Sequence, residues 1–253
     1  MFGIIWFMLW QALGIGLAYK YFAEKRRCVR IWLGSAAGSV LSMWAPIPFA
    51  FALGFTLKAH LAALALGLIV ALAVLRCRRK SPIVPEAAPA GNDRALALLL
   101  PPFLLLCTYI LITHTLISYN SGLYSGQCSY GDMCMHLGFI TSMAEQGSFP
   151  FEYSILPGTR LCYPFLCDSV SASLYLLGTP LRTAYIFPML FALSQVLCGV
   201  WFLAREIVRR RGAAILAFLL FFLNGGLGMI YFINDYSLSE LFTGFYTTPT
   251  NLT

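Results

Sequence analysis

Charge is what this chain has least of. Lys, Arg, Asp and Glu make up 11% of its 253 residues, and only 10 of them are acidic. The apolar residues, 59% of the total, fall in long runs that lack the polar stripe at helical period a soluble helical core would need. Internal repeats and low-complexity tracts are missing too, so the chain reads neither as a solenoid nor as a disordered linker. The first apolar run has no basic residues before it and no small-x-small cleavage site after it, and its charges follow it. It therefore reads as an anchor with its N-terminus outside rather than as a cleavable signal.

What remains is a set of runs near or above the length that crosses a bilayer. The expected fold class is all-α: a polytopic membrane protein of about six transmembrane helices with a large exterior loop carrying short interfacial helices. The spans fall at 3–19, 31–75 (long enough for two), 95–118, 185–204 and 213–233. Between spans two and three, Pro46 and Pro48 compete with Gly54 to Lys58 as the turn, and the later position lets Lys58 reach the interface by snorkelling. Pro82, Pro85, Pro89 and Gly91-Asn92-Asp93 mark a linker. The expected organisation is a three-span module at 1–76, a cytoplasmic linker at 77–94 and a second module at 95–253. That second module holds an exterior loop at 119–184 and an exterior tail at 234–253.

The net charge of +7 raises a nucleic-acid partner, and the placement of the charges rejects it. Fourteen of the 17 Lys and Arg lie in three short loops, leaving Lys58, Arg160 and Arg182 elsewhere. Six spans put those three loops on one side, which the positive-inside rule makes cytoplasmic. The expected localisation is an integral membrane protein of the plasma membrane, with the N-terminus and large loop exterior. Cysteine labelling is expected to place positions 25, 79 and 210 on one side and 120, 152 and 235 on the other. Position 152 appearing on the side of 210 would overturn the topology.

The polar interval 118–168 interrupts the apolar runs and holds the chemistry-bearing residues. Cys128, Cys134, Cys162 and Cys167 lie in it, with spacings Cys-x5-Cys and Cys-x4-Cys. Tight zinc-knuckle pairs are missing, so disulfides or free thiols are expected ahead of a metal site. A surface helix is expected from Met133 to Gln146, with Asp132 as N-cap and Gly147 as stop. Asp132 and His136, four residues apart, then project from neighbouring points. The plainer alternative makes Asp132 a cap and His136 an interface residue. A second short helix, 164–177, is half polar and is expected on the outer surface.

The order of these features resembles the N-terminal part of the GT-C superfamily of polytopic glycosyltransferases, which includes protein mannosyltransferases and lipid A aminoarabinose transferases. The resemblance rests on the acidic position in Tyr130-Gly131-Asp132-Met133-Cys134-Met135-His136 and the strip Tyr163-Pro164-Phe165-Leu166. It continues through the turn Gly178-Thr179-Pro180 into a span, and ends at the basic Arg205 to Arg211. It covers about 95–235 through the order and sidedness of parts. Many members carry a Lys just before the Pro strip, where this chain has Cys162, and the three spans before Ala95 are additional.

The resemblance implies transfer of a sugar from a polyprenyl-phosphate donor to an acceptor hydroxyl at the exterior face. Such transfer needs a base, stabilisation of the departing phosphate and exclusion of water. Asp132 would be the catalytic base, and Arg160, the nearest cation, would bind the phosphate. His136 and Asp168 would position the acceptor or help hold a divalent metal, Mg or Mn, which some members require; Glu152 and Tyr163 complete the set of substrate contacts. The implied partners are the lipid bilayer, the polyprenyl-phosphate-linked sugar donor and other membrane subunits. Such enzymes usually have more than six spans, so a truncated, inactive fragment is also expected. The competing class is a non-enzymatic membrane protein, a transporter component or an assembly partner in polysaccharide or lipid export.

Overall fold

A computed structural model describes residues 2–77, 93–120, 122–126 and 130–223. Five helical segments are long and apolar enough to cross a membrane. They are α1 (Phe2–Tyr21), α2 (Arg27–Trp44) continued by α3 (Pro46–Leu53), α4 (Leu57–Arg76), α5 (Arg94–Ile110) continued by a π-helical turn (Leu111–Thr115), and α8 (Leu181–Val208). The expected sixth span is described only in its first part, as α9 (Arg211–Phe222). Its remainder lies outside the described residues, as do most of the linker at 77–94, Cys128 and the tail at 234–253.

Pro46 opens α3 instead of ending the span, because a first-turn proline has no N–H to lose to the helix ladder. The turn comes at Gly54, whose φ of 68° suits glycine, and α4 starts at Leu57. The span expected to reach residue 118 stops sooner. From Leu116 to Tyr119 the chain is a strand, β1, paired antiparallel with β2 (Gly122–Ser125). Leu116-Ile117-Ser118-Tyr119 ends a segment rich in β-branched and aromatic residues, which favour a pleated hairpin over a last helical turn. The otherwise all-α chain thus carries one small hairpin among its described residues.

The chain divides into two compact units that cut across its sequence order. The first joins α1 to α4 with residues 132–199, so α6 (Tyr130–Gln146) and α7 (Leu166–Leu176) group with the N-terminal helices. Its tightest contact is α1 on α2. A Cβ added at Gly14 would come 2.1 Å from the carbonyl oxygen of Gly34, and one at Gly34 would come 2.4 Å from the Cα of Ile15. Gly34 and Gly38, four apart on one face, let the two backbones touch, as small residues do between membrane helices. Gly34→Val is therefore expected to destabilise this unit by about 1–3 kcal/mol, the usual cost of overpacking. Gly212→Ala, at a position open on all sides, should leave stability unchanged; both can be read from thermal unfolding in detergent.

α7 corrects another expectation. Instead of lying on the surface, it is buried from Asp168 through Leu174 and packs against α1 and α2. Ser169 and Ser173 permit this by bonding inward. Ser169 Oγ donates to the Leu166 carbonyl at 2.7 Å, while Ser173 lies between the Ser169 carbonyl and His60. His60 Nδ1 donates at 2.7 Å to the Thr56 carbonyl, which can only accept, and Nε2 lies 2.8 Å from the Ser173 hydroxyl oxygen. Trp6 and Phe55 pack edge-on against that imidazole. At the start of α1, the Gly3 N–H donates to the Leu177 carbonyl at 3.1 Å. At its far end, the Lys20 ammonium reaches the carbonyls of Val74 and Cys77 at the end of α4. Within this unit α6 and α7 therefore sit at one end of the spans, and Lys20 and Arg76 at the other.

The second unit holds α5, the hairpin, the end of α8 and α9. Phe103 packs edge-on against Phe218 and Phe222. Arg205 is fully buried, with Nε 3.9 Å from the Asp93 carboxylate, and Trp201 Nε1 donates to the same oxygen at 3.0 Å. This cation, expected in an open basic loop, thus takes part in packing.

Candidate functional site

α6 and α7 run side by side in parallel with matching positions 32 residues apart. His136 meets Asp168, Ile140 and Met143 share a core with Ala172, and Ala144 and Leu176 border one recess. Gly147, with φ of 62°, ends α6 and frees the chain to loop back toward α7. Gln146 fixes that loop from within: its amide donates to the Glu152 carbonyl at 3.0 Å and accepts from the Glu152 N–H at 2.9 Å.

This register brings together three of the residues singled out in the sequence: His136, Asp168 and, edge-on to the imidazole, Tyr163. His136 Nδ1 donates to Asp168 Oδ2 at 2.9 Å. Asp168 is 7% exposed and His136 is half-buried. Burial pushes the Asp168 carboxyl above the ordinary carboxylate range, opposed by the hydrogen bond and charge of His136. With Nδ1 committed to the carboxylate, Nε2 is left without a hydrogen bond among the described residues. It can accept a proton when neutral and donate one when protonated. The Tyr163 ring stands edge-on to His136 with centroids 5.8 Å apart, and Phe139 does so from the same helix at 6.1 Å.

The other expected residues lie apart from this pair. Asp132 is exposed within the first turn of α6, which begins at Tyr130, so it is not the N-cap expected from the sequence. A first-turn carboxylate favours the helix dipole without capping it. It stands one helical turn from His136. Glu152 and Arg160 face each other across an isolated antiparallel bridge in the loop between α6 and α7, both exposed. Neither lines the chamber described next.

The His–Asp pair opens onto a chamber of about 320 Å³ between helices of the membrane bundle. α1 contributes Phe7, α2 contributes Ser39 and Met43, and α7 contributes Cys167, Val170 and Ser171 beside Asp168. α8 contributes Tyr185, Pro188, Met189 and Ala192, one face at helical spacing. The wall is mainly apolar, with polar groups concentrated at the His136–Asp168 end and at Ser39, an arrangement common in small-molecule sites. Of these lining residues, the sequence reading had singled out His136 and Asp168 for substrate binding. The spacing of the α8 residues was a usable signal, but it is shared by any apolar helix.

Cys134, Cys162 and Cys167 are free thiols, so no disulfide joins them. Peptide-resolved alkylation without reductant is expected to label all three; protection of any two that reductant relieves would overturn this. Among the described residues, no three His, Cys, Asp or Glu side chains converge on a point where a metal ion would sit.

The fold and its apolar segments define an α-helical integral membrane protein with about five candidate spans. No protein-family model, curated protein or solved structure matches the chain.

Proposed function

We propose that this protein is a membrane glycosyltransferase of the GT-C kind, moving a sugar from a polyprenyl-phosphate donor to an acceptor hydroxyl at the exterior face of the plasma membrane. The observation that carries this reading is the junction of a polar, titratable pair with an apolar chamber inside a transmembrane bundle. A water-soluble substrate has little use for such walls, whereas a lipid phosphate presents an apolar chain and an anionic head in the same order. The chamber receives the first part of the chain, and His136, when protonated and held by Asp168, faces the phosphate.

In the transfer, the bond from the sugar anomeric carbon to the phosphate oxygen breaks as the bond to the acceptor oxygen forms. The acceptor proton passes to Asp132, which stands on the solvent side one turn from His136. The phosphate leaves with its electron pair, stabilised by the His136 imidazolium. Arg160, exposed on its loop, meets the anionic donor from the aqueous side.

The test is reconstitution of the purified protein with a polyprenyl-phosphate-linked sugar and an acceptor glycan or peptide, reading release of polyprenyl phosphate. A second reading, a transporter component, draws on the amide and hydroxyl groups of Gln11, Ser35, Ser39 and Gln195 clustered between α1, α2 and α8. Solute flux into proteoliposomes without donor consumption would favour it over transfer.

A further inference from the structure

We infer that Ser39 and Ala192 form the floor of the chamber and set how much of a lipid chain it accepts. The inference rests on the lipid-donor reading above and extends it to chain-length specificity.

On α8 the lining residues descend from Tyr185 to Ala192, seven residues or about 10 Å of helix. On α2, which runs the other way, Ser39 lies one turn deeper than Met43. The two smallest wall residues on these helices therefore both lie at the end opposite His136 and Asp168.

Just beneath them the bundle is closed by polar bonds. Gln195 Nε2 donates to Ser39 Oγ at 3.0 Å and to Ser35 Oγ at 2.7 Å, and the Gln11 amide adjoins both serines from α1. Trp32 Nε1 pins the same stretch of α8 by donating to the Gln195 carbonyl at 2.7 Å. A hydrocarbon chain pushed past Ser39 would have to break these bonds and offer none in return. A chamber of 320 Å³ holds on the order of ten methylene-sized groups at roughly 30 Å³ each. The floor therefore lies near the end of the second isoprene unit from the phosphate, and any longer chain must leave sideways into the bilayer.

The test uses the full chain in nanodiscs with dimethylallyl, geranyl and undecaprenyl phosphate as probes. Protection of Cys167, a thiol lining the chamber, from maleimide is read by peptide-resolved mass spectrometry. Ala192→Leu and Ser39→Leu are expected to weaken protection by geranyl and undecaprenyl phosphate about tenfold, on the scale of overpacking, while leaving dimethylallyl phosphate within about twofold. Ala192 borders the open chamber and is not packed in the core, so its variant folds even if Ser39→Leu, which also loses its bonds to Gln195, does not. Equal weakening of all three probes by Ala192→Leu, or no weakening of any, overturns the floor while leaving the lipid-donor reading intact. If no prenyl phosphate protects Cys167 in the native chain, the lipid-donor reading falls and the floor falls with it.

Discussion

Asp132→Asn is expected to lower sugar transfer by roughly 10²–10⁴-fold, the range over which a lost general base slows a reaction. The fold should hardly notice. Asp132 is exposed within the first turn of α6, so Asn loses about 0.3–1 kcal/mol of favourable interaction with the helix dipole. Full helicity and an unfolding midpoint lowered by no more than about 2–4 °C, together with a collapse of turnover, are the expected pair of results. Asp132→Glu restores the carboxylate at a slightly different reach and should recover part of the rate. If Asp132→Asn turns over as fast as the native chain, the carboxylate serves the helix and the base must be sought elsewhere, with His136 Nε2 the next group in line.

Asp168→Asn should act through a different channel, lowering transfer by about 10²–10³-fold, as loss of one preorganised electrostatic contact does. The Asn oxygen can still accept from His136 Nδ1, so the ring stays in place but loses the negative charge beside it. The pH dependence follows from the burial of Asp168. Its carboxyl ionises above the ordinary carboxylate range in the folded protein, so the folded state holds this proton more tightly than the unfolded chain does. The Asp168 contribution to stability is therefore most favourable at low pH and declines as pH rises from the unfolded value through the raised folded one. Activity needs the ionised form and moves the other way, falling as pH drops through the raised value. The acid limb of the rate profile should thus begin at a higher pH than for an exposed aspartate. His136→Gln removes an interaction that holds the Asp168 value down and should move the limb further up. Asp168→Asn, which removes a buried charge, should melt no earlier than the native chain near neutral pH. An acid limb in the ordinary carboxylate range would remove Asp168 from the reaction.

Which parts of this molecule can be read from its residues depends on how local their causes are. Membrane-spanning length is a property of a continuous run, and the positions of α1, α4 and α8 follow from theirs. The stop of α6 at Gly147 was equally legible, because a positive φ after an apolar turn is a local event. α7 was misread for the opposite reason. Asp168, Ser169, Ser171 and Ser173 look like a wet face, yet Ser169 and Ser173 spend their hydrogen bonds on their own helix and beside His60, Ser171 lines the chamber, and the aspartate pairs with His136. The pairing of His136 with Asp168 could not be foreseen from spacing, since it depends on two helices lying in step after a loop of unknown path. Gly34 and Gly38, in contrast, carried a signal that went unread: two glycines four apart in an apolar helix ask for a neighbour at backbone distance. Asp132 belongs to the expected helix, but as its third residue and not its N-cap, because the helix begins at Tyr130.

The two ends of α1 have a bearing on how the protein is made. Its Lys20 end is held by carbonyls of α4, and its Gly3 end by the carbonyl of Leu177, which is synthesised 174 residues later. At about 5–20 residues per second, that leaves α1 waiting roughly 9–35 s for the last of its anchors. Through that interval its glycine-lined contact with α2 is the first partner available to it. A ribosome-arrest series should therefore show the α1–α2 pair protected early, and the Gly3 end protected only after residue 177 has cleared the tunnel.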